Sequence, residues 1–257
     1  MTQTASVHVK RAAPPRVVSL VPSITETLLA WRVHVVACTR FCEQPSLPHV
    51  GGTKDPDIAA IIDLAPDLVV VDREENRRED AEALIAAALA VHVTHVVHIH
   101  DVAPMLRELA DAVQADPQAV AAASIETTED AVVRGDTSTR APSAFVPIWR
   151  RPTMSINGAT YASTLLAQLG VRNVLADHAQ AYPTVELADV AALQPDLVLL
   201  PSEPYPFAQR HVAEYQRALP GARVVLVDGQ DLFWWGVRTA AAVQRLRETL
   251  RAPTTPL

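Results

Sequence analysis

The sequence predicts an α/β fold: two Rossmann-like lobes with parallel sheets, joined by a rigid backbone helix. Three observations predict it. Short apolar, β-branched runs alternate with helical segments, the pattern of strands connected by crossover helices. The octapeptide LAPDLVVV (Leu64–Val71) returns almost unchanged as LQPDLVLL (Leu193–Leu200). That spacing exceeds the roughly 20–50 residues of a solenoid repeat and points to duplicated lobes. Between the copies, Asp101–Gly135 has helical composition throughout, with no Gly/Ser linker.

The elements follow in order. Residues 1–15 read as a disordered arm, and the first lobe is expected over 16–100. RVVSLV (Arg16–Val21) is a strand stopped by Pro22, after which Ser23 or Thr25 is placed to cap a helix, with Glu26 completing a capping-box pattern. VHVVACT (Val33–Thr39) is a second strand. DPDIAAIIDLAPDLVVV supplies a helix with Asp57 near its start, a Pro-Asp turn and a buried strand. NRREDAEALIAAALA and VHVTHVV add a further helix and strand.

A helical connector is expected over 101–138, containing a backbone helix over about 117–134 with Pro117 in its first turn. Its length of about 18 residues corresponds to roughly 27 Å. The second lobe, 139–250, repeats the pattern: a strand over Ser143–Trp149, a helix over Asn157–Gly170 closed by its glycine, and a second Asp-capped helix, Pro-Asp turn and strand. TAAAVQRLRETLR is a terminal amphipathic helix, and 251–257 is a tail.

Composition removes several functions. Of the 257 residues, 49% are apolar and 20% charged, as in ordinary globular proteins. The net charge of −7 gives no basic footprint for nucleic acid. All but Lys10 and Lys54 of the 22 cations are scattered arginines. No apolar run reaches the length of about 18–20 residues that a membrane span needs, so no membrane insertion is expected. MTQTASVHVKRAAPPR shows no apolar signal region, so the chain as written reads as cytoplasmic; it would be extracytoplasmic if a leader had been removed. A nucleotide enzyme is disfavoured because neither Gly-rich phosphate motif occurs. Cys38 and Cys42 form neither a disulfide framework nor a zinc signature, and read as small reduced residues at a loop start.

In open parallel sheets ligands bind beyond the carboxyl ends of the strands. In the first lobe that rule selects Pro22, Ser23 and Thr25, Phe41, Gly51–Thr53 (with Gly52 and Thr53 as site residues) and Arg73–Asn76, of which Arg73, Glu75 and Asn76 can hydrogen-bond ligand amides. His95 follows. In the second lobe it selects Trp149, Arg150, Met154, Tyr161, Glu203, Tyr205 and Phe207, then Asp231, Phe233, Trp234, Trp235 and Arg238. Only 5% of residues are aromatic, yet seven of these fall near strand ends of the second half. Such faces suit a large flat ligand, although ordinary core packing explains about half of them equally well. DLFWWG is the exception, since three consecutive aromatics cannot all enter one core; at least one tryptophan is expected to line the cleft. VHVTHVVHIH places His98 and His100 on one strand face and His95 on the other. Both a metal-binding cluster and a solvated strand end fit this pattern.

RVVSLVPSITETLLA, VGGTKDPDIAAIIDLAPDLVVVDREEN, the helical connector and PDLVLLPSEPYPF together resemble the helical-backbone metal-receptor superfamily. This contains the class III, cobalamin/siderophore-type substrate-binding proteins of ABC transporters. IWRRPTMSINGATYASTLL and SEPYPF are most similar to its cobalamin-binding-protein-like branch, and the resemblance covers about residues 16–250.

It implies non-enzymatic binding of a large metal-containing ligand in the interlobe cleft, for an ABC importer. A corrinoid comes first, with siderophore or haem as alternatives. No intrinsic cofactor is implied, and the expected partners are a small-molecule metal chelate and an ABC permease, with the protein a monomer. The alternative is a cytosolic corrinoid or tetrapyrrole carrier or sensor of the same fold. A metal-cofactor enzyme ranks last, because no nucleophile–base pair or closed ligand set is visible. The resemblance also makes His95 a candidate axial ligand to the cargo's metal, and Glu79 and Glu214 candidates for docking onto transporter arginines.

Overall fold

A computed structural model describes residues 14–123 and 140–251. The expected arm before Pro14, the continuation of the backbone helix past Ala123 and the tail after Arg251 lie outside the described residues. The chain forms two compact units, with boundaries at Thr94/His95, Arg107/Glu108 and Val120/Ala121. The described part of the expected connector, residues 101–123, therefore contributes to both units.

The first unit is built on β1 (Val17–Ser19), β2 (Val35–Cys38), β3 (Leu68–Asp72) and β4 (Val91–Thr94), all parallel and ordered β2-β1-β3-β4. The helices α1 (Pro22–Ala30), α2 (Ile58–Asp63) and α3 (Arg78–Ala86) connect them. A 3-10 turn (Ile99–Asp101), α4 (Val102–Ala112) and α5 (Pro117–Ala123) follow. The second unit contains β5 (Ser143–Phe145), a hairpin of β6 (Trp149–Arg150) and β7 (Thr153–Met154), α6 (Tyr161–Gln168), β8 (Arg172–Asn173), α7 (Leu187–Ala192), β9 (Leu197–Pro201), α8 (Gln209–Ala218), β10 (Arg223–Val227), α9 (Gly229–Phe233) and α10 (Thr239–Arg251). Its parallel sheet is ordered β10-β9-β5-β8. Numbered by appearance within its own unit, each sheet runs 2-1-3-4. The duplication is thus one of topology as well as of sequence.

The repeated octapeptide forms the third strand of each sheet, beside the first. Its Pro-Asp turn does the same work twice. Asp67 Oδ2 accepts the Arg16 N–H at 2.8 Å while the Asp67 N–H donates to the Arg16 carbonyl at 2.8 Å. Asp196 Oδ2 accepts the Ser143 N–H at 2.7 Å and the Ser143 hydroxyl at 2.7 Å, and the Asp196 N–H donates to the Ser143 carbonyl at 2.9 Å. Each aspartate therefore pins the start of the first strand to the start of the third. The residues before the prolines, Ala65 and Gln194, both turn through positive φ, at 42° and 49°.

The hydrogen bonds from Ser143, backbone first and hydroxyl second, hold the Asp196 carboxyl below the usual carboxylate range, helped by Arg140. A carboxyl lowered in the folded state adds stability above its unfolded pKa and loses it as pH falls through the folded value. Because this side chain is 41% exposed, the effect is discounted. Asp196→Asn is expected to cost about 1 kcal/mol at neutral pH. Urea melts should show the gap to wild type closing on the acid side.

The central strands β1, β3, β5 and β9 are buried on both faces, as crossover helices require, while the outer strands β4 and β10 leave Val93 and Leu226 exposed. Val18, Leu20, Ala37, Val69 and Val71 pack with Ile61 and Leu84 in the first unit; Phe145, Val198 and Leu200 pack with Phe207, Val212 and Tyr215 in the second. No helix among the described residues is long and apolar enough to cross a membrane.

Several local expectations are corrected. Pro22 begins α1 with Val21 as N-cap, so Ser23 and Thr25 lie inside the helix, buried, and cap nothing; proline's fixed φ suits that first position. The Thr25 hydroxyl turns elsewhere, to the Val21 carbonyl at 3.0 Å and the Ser19 hydroxyl at 2.9 Å. Asp57 caps α2 through the Ala60 N–H at 3.0 Å, but its counterpart α7 starts after Glu186 with no side-chain cap. The helix expected from Asn157 starts at Tyr161, because the Asn157 side chain accepts the Ala159 N–H in a local turn. The strand expected over Ser143–Trp149 ends at Phe145, and Trp149 belongs to the hairpin. β4 ends at Thr94, so strand parity does not govern His95, His98 or His100. Instead His98 Nδ1 accepts the His100 N–H at 3.2 Å, and the two rings stack at 4.8 Å.

Candidate functional site

In the first unit, the loops at the carboxyl end of the sheet are tied together by Asn76. Its Oδ1 accepts the Asp72 N–H at 2.8 Å, and its Nδ2 donates to the Leu20 carbonyl at 3.1 Å and the Thr53 carbonyl at 2.9 Å. The expectation that Asn76 hydrogen-bonds a ligand is corrected: its amide is buried and already joins the ends of β1 and β3 to the Gly51–Thr53 loop. Asp72 completes the frame, with Oδ1 accepting the Glu74 N–H at 2.8 Å and Oδ2 the Thr94 hydroxyl at 2.7 Å. Gly51 has φ +84°, and a Cβ there would strike the Asp55 carbonyl. Over Gly52 lies the Arg40–Asp55 ion pair, at 2.9 Å. Ser23 is buried.

Of the residues expected to contact a ligand at this end, Phe41 (50%), Arg73 and Glu75 are exposed, with Glu74 between the last two. The Arg40 guanidinium lies 4.8 Å from the centre of the Phe41 ring. Desolvation and then Asp72 push the Glu75 carboxyl up, with Lys54 opposing. Solvent screens much of that push at so exposed a residue. Glu79 is exposed in the first turn of α3. Glu214 lies on α8, which links the third and fourth strands of its sheet as α3 does in the first.

The second unit holds a ladder of rings running from solvent into the core. Trp149, 44% exposed, meets Tyr205 edge-on at 5.5 Å; Tyr205 meets Phe207 at 4.7 Å; and Phe207 meets Tyr215 at 5.7 Å. Trp149 follows β5 and Tyr205 follows β9, so adjacent parallel strands deliver both rings to the same sheet end. Phe207 and Tyr215 are buried in the core, which corrects Phe207 as a lining residue and makes it the support of Tyr205.

His211 braces the ladder, 5.5 Å from Tyr205 and 5.6 Å from Phe207. Its Nδ1 accepts the Ala208 N–H at 3.0 Å, so that nitrogen carries no proton. Burial, with Arg210 and Arg150 next, lowers its pKa in keeping with that. Sequence reasoning missed His211 and Tyr215. Their i, i+4 spacing in QRHVAEYQ, on one face of a helix, was the available signal.

Beside the ladder, Arg150 donates to Glu214 Oε2 from Nε at 3.0 Å and from a terminal nitrogen at 2.7 Å. Residues expected to have separate roles, ligand contact and transporter docking, are therefore one ion pair. The expectation of Glu214 as a free docking carboxylate is corrected accordingly.

The third cluster lies after β10. Asp231 is buried and accepts Arg245 at 2.7 Å and 2.6 Å, with Arg238 at 3.7 Å. Arg238 sits over Trp234 at 5.0 Å. Of the tryptophan pair, Trp234 is half-buried while Trp235 is 6% exposed. Tyr161 is buried, its hydroxyl 3.4 Å from that of Thr239, and burial pushes its pKa up to about 12. Asp231, Trp235 and Tyr161 are thus corrected from ligand contacts to structural groups. Glu203 packs against Gly229, where a Cβ would collide with its backbone and side chain. His95 is half-buried, and its Nδ1 is covered without a hydrogen-bond partner. No group of three or more His, Cys, Asp or Glu among the described residues could hold a metal ion.

Comparison with known proteins agrees with this architecture. The family model described as periplasmic binding protein matches residues 17–200. The vitamin B12-binding protein of Photorhabdus laumondii is 26% identical over 200 residues, covering 75% of this chain and 73% of its own length. The crystal structure of the periplasmic vitamin B12 binding protein BtuF of Vibrio cholerae superposes with a TM-score of 0.75 at 18% identity, covering 93% of this chain and 97% of that one. The periplasmic haem binding protein HutB of Vibrio cholerae gives 0.76 at 18% identity, covering 93% and 99%. These two superpositions show a shared fold. With the family model spanning most of the chain, this protein belongs to the periplasmic binding protein family.

Proposed function

We propose that the protein binds a large planar metal chelate, a corrinoid first of all, and presents it to an ABC permease. Membership of a family of binding proteins makes this a binding role and not an enzymatic one. The observation that carries the ligand class is the Trp149–Tyr205 face. An exposed indole braced edge-on by a tyrosine, itself seated on buried rings, offers a wide apolar surface at little entropic cost. Arg150 alongside supplies directed donors for polar substituents. The names of similar proteins favour corrinoid over other flat chelates, with haem second. In the first unit the exposed candidates for ligand contact are Phe41, Arg73 and Glu75, and Glu79 is the candidate for permease docking.

Purifying the protein from its host and recording a visible spectrum tests the reading. Corrinoid bands are expected. A Soret band would assign a haem, and a protein that stays colourless with both ligands added would overturn the proposal.

His95 carries a separate prediction. Its half-buried ring is the candidate axial ligand to the cargo's metal, and it would act through Nε2 because protein covers Nδ1. His95→Phe should change the bound spectrum. An unaltered spectrum would leave His95 a packing residue.

A further inference from the structure

Cys38 ends β2 fully buried, and Cys42, 4% exposed, closes the turn that follows by donating its N–H to the Thr39 carbonyl at 3.1 Å. Ser19 pairs with Cys38 in register across β1 and β2, so their side chains share one face of the sheet, and the Ser19 hydroxyl accepts that of Thr25 at 2.9 Å. Two hydroxyls also converge on Cys42 Sγ, those of Thr25 and Thr39, each at 3.2 Å. The cover over this pair is thin: Arg40, Phe41 and Glu43, flanking Cys42, are all exposed. A disulfide requires Cα atoms within about 7 Å and side chains aimed at each other, and otherwise the backbone must move. Here the tight turn, and the Thr25 hydroxyl that reaches from Ser19 beside Cys38 to Cys42 Sγ, bring the two side chains to the same face of the sheet.

We propose that Cys38 and Cys42 are a redox site, a dithiol that closes to an intrachain disulfide by exchange with a small-molecule disulfide. Cys42 attacks first. It is the cysteine at the surface turn, and Thr25 and Thr39 can each direct a proton at its sulfur. The neighbouring Cys38, then the two threonine hydroxyls, also lower its pKa against the effect of burial, while Cys38 is pushed up.

Opening of the Arg40–Phe41 turn admits the oxidant. The Cys42 thiolate attacks one sulfur of the disulfide, forming a mixed disulfide and expelling one thiolate. Cys38 then loses its proton and attacks Cys42 Sγ, expelling the second thiolate. Two cysteine thiols are oxidised and one external disulfide is reduced to two thiols. The product clamps the turn that presents Phe41 and anchors Arg40 on Asp55. In an oxidising compartment the pair should be closed, and in a reducing one open.

The test equilibrates the full chain in mixtures of oxidised and reduced glutathione, quenches with acid, alkylates and reads intact and peptide masses. Wild type should lose two hydrogens, carry no adduct and yield a Cys38–Cys42 cross-linked peptide. The ratio of disulfide to dithiol should be at least roughly tenfold higher in the folded chain than in denaturant, because the fold holds the thiols together. Cys38→Ser should stop at one glutathione on Cys42, and Cys42→Ser should react far more slowly. Two free thiols, stable glutathione adducts on wild type, a bond between chains, or no advantage over the denatured chain would overturn the site. Equal reaction rates for the two variants would overturn the assignment of Cys42 as attacker.

Discussion

Replacing Trp235 with alanine is expected to destabilise the protein by about 3–5 kcal/mol, the range for removing a buried aromatic side chain. Trp235 and Trp234 are neighbours in DLFWWG, and sequence alone cannot rank them. The structure does, because Trp235 is 6% exposed while Trp234 is half-buried with Arg238 over its ring. Trp234→Ala removes a cation–π contact and a partly exposed ring, and should cost about 1 kcal/mol. Urea melts of the two variants decide it: similar losses would contradict the assignment of Trp235 to the interior. A ligand-binding defect in Trp235→Ala would then be secondary to its loss of stability.

The second large effect is expected at Asp231. Its carboxylate is buried, holds Arg245 through two short hydrogen bonds and has Arg238 at 3.7 Å. Asp231→Ala leaves these cations without it at a site where water cannot fully replace it. The expected cost is about 3 kcal/mol, the low end for a broken buried pair, because the Arg245 side chain is 51% exposed and recovers some hydration. Adding Arg245→Ala should return part of the loss, which a double-mutant cycle measures. A single-mutant loss under about 1 kcal/mol would mean that the pair behaves as an ordinary surface bridge.

The duplicated architecture is legible in the sequence because its signals are local. The repeated Pro-Asp turn, the apolar runs and Asp57 as a cap each state their own conformation, and both third strands form where the octapeptide lies. The sheet-end rule, applied to the sequence alone, also brings Trp149, Tyr205 and Phe207 into one region, where their rings do meet. Sequence does not say which polar groups are already committed. Asn76, Asp231 and Glu214 all have the chemistry of ligand contacts, yet each is bound to protein groups distant in sequence or packed in another element. Strand ends are overrun for a related reason. His95–His100 keep a strand-like composition, but β4 stops where β3 stops, at the Asp72–Thr94 pair; β5 ends at Phe145, shortly before Pro147, which has no N–H to give the ladder, although β9 runs on to Pro201.

The central claim is that a flat metal chelate stacks on the Trp149–Tyr205 face. Calorimetric titration of wild type, Trp149→Ala and Tyr205→Ala with cyanocobalamin, and with haemin in parallel, tests it most directly. Saturable one-site binding of the corrinoid by wild type is expected, weakened by about 1–3 kcal/mol in each variant while urea melts show both still folded. Undiminished affinity in both folded variants would contradict the account and move the site off this face.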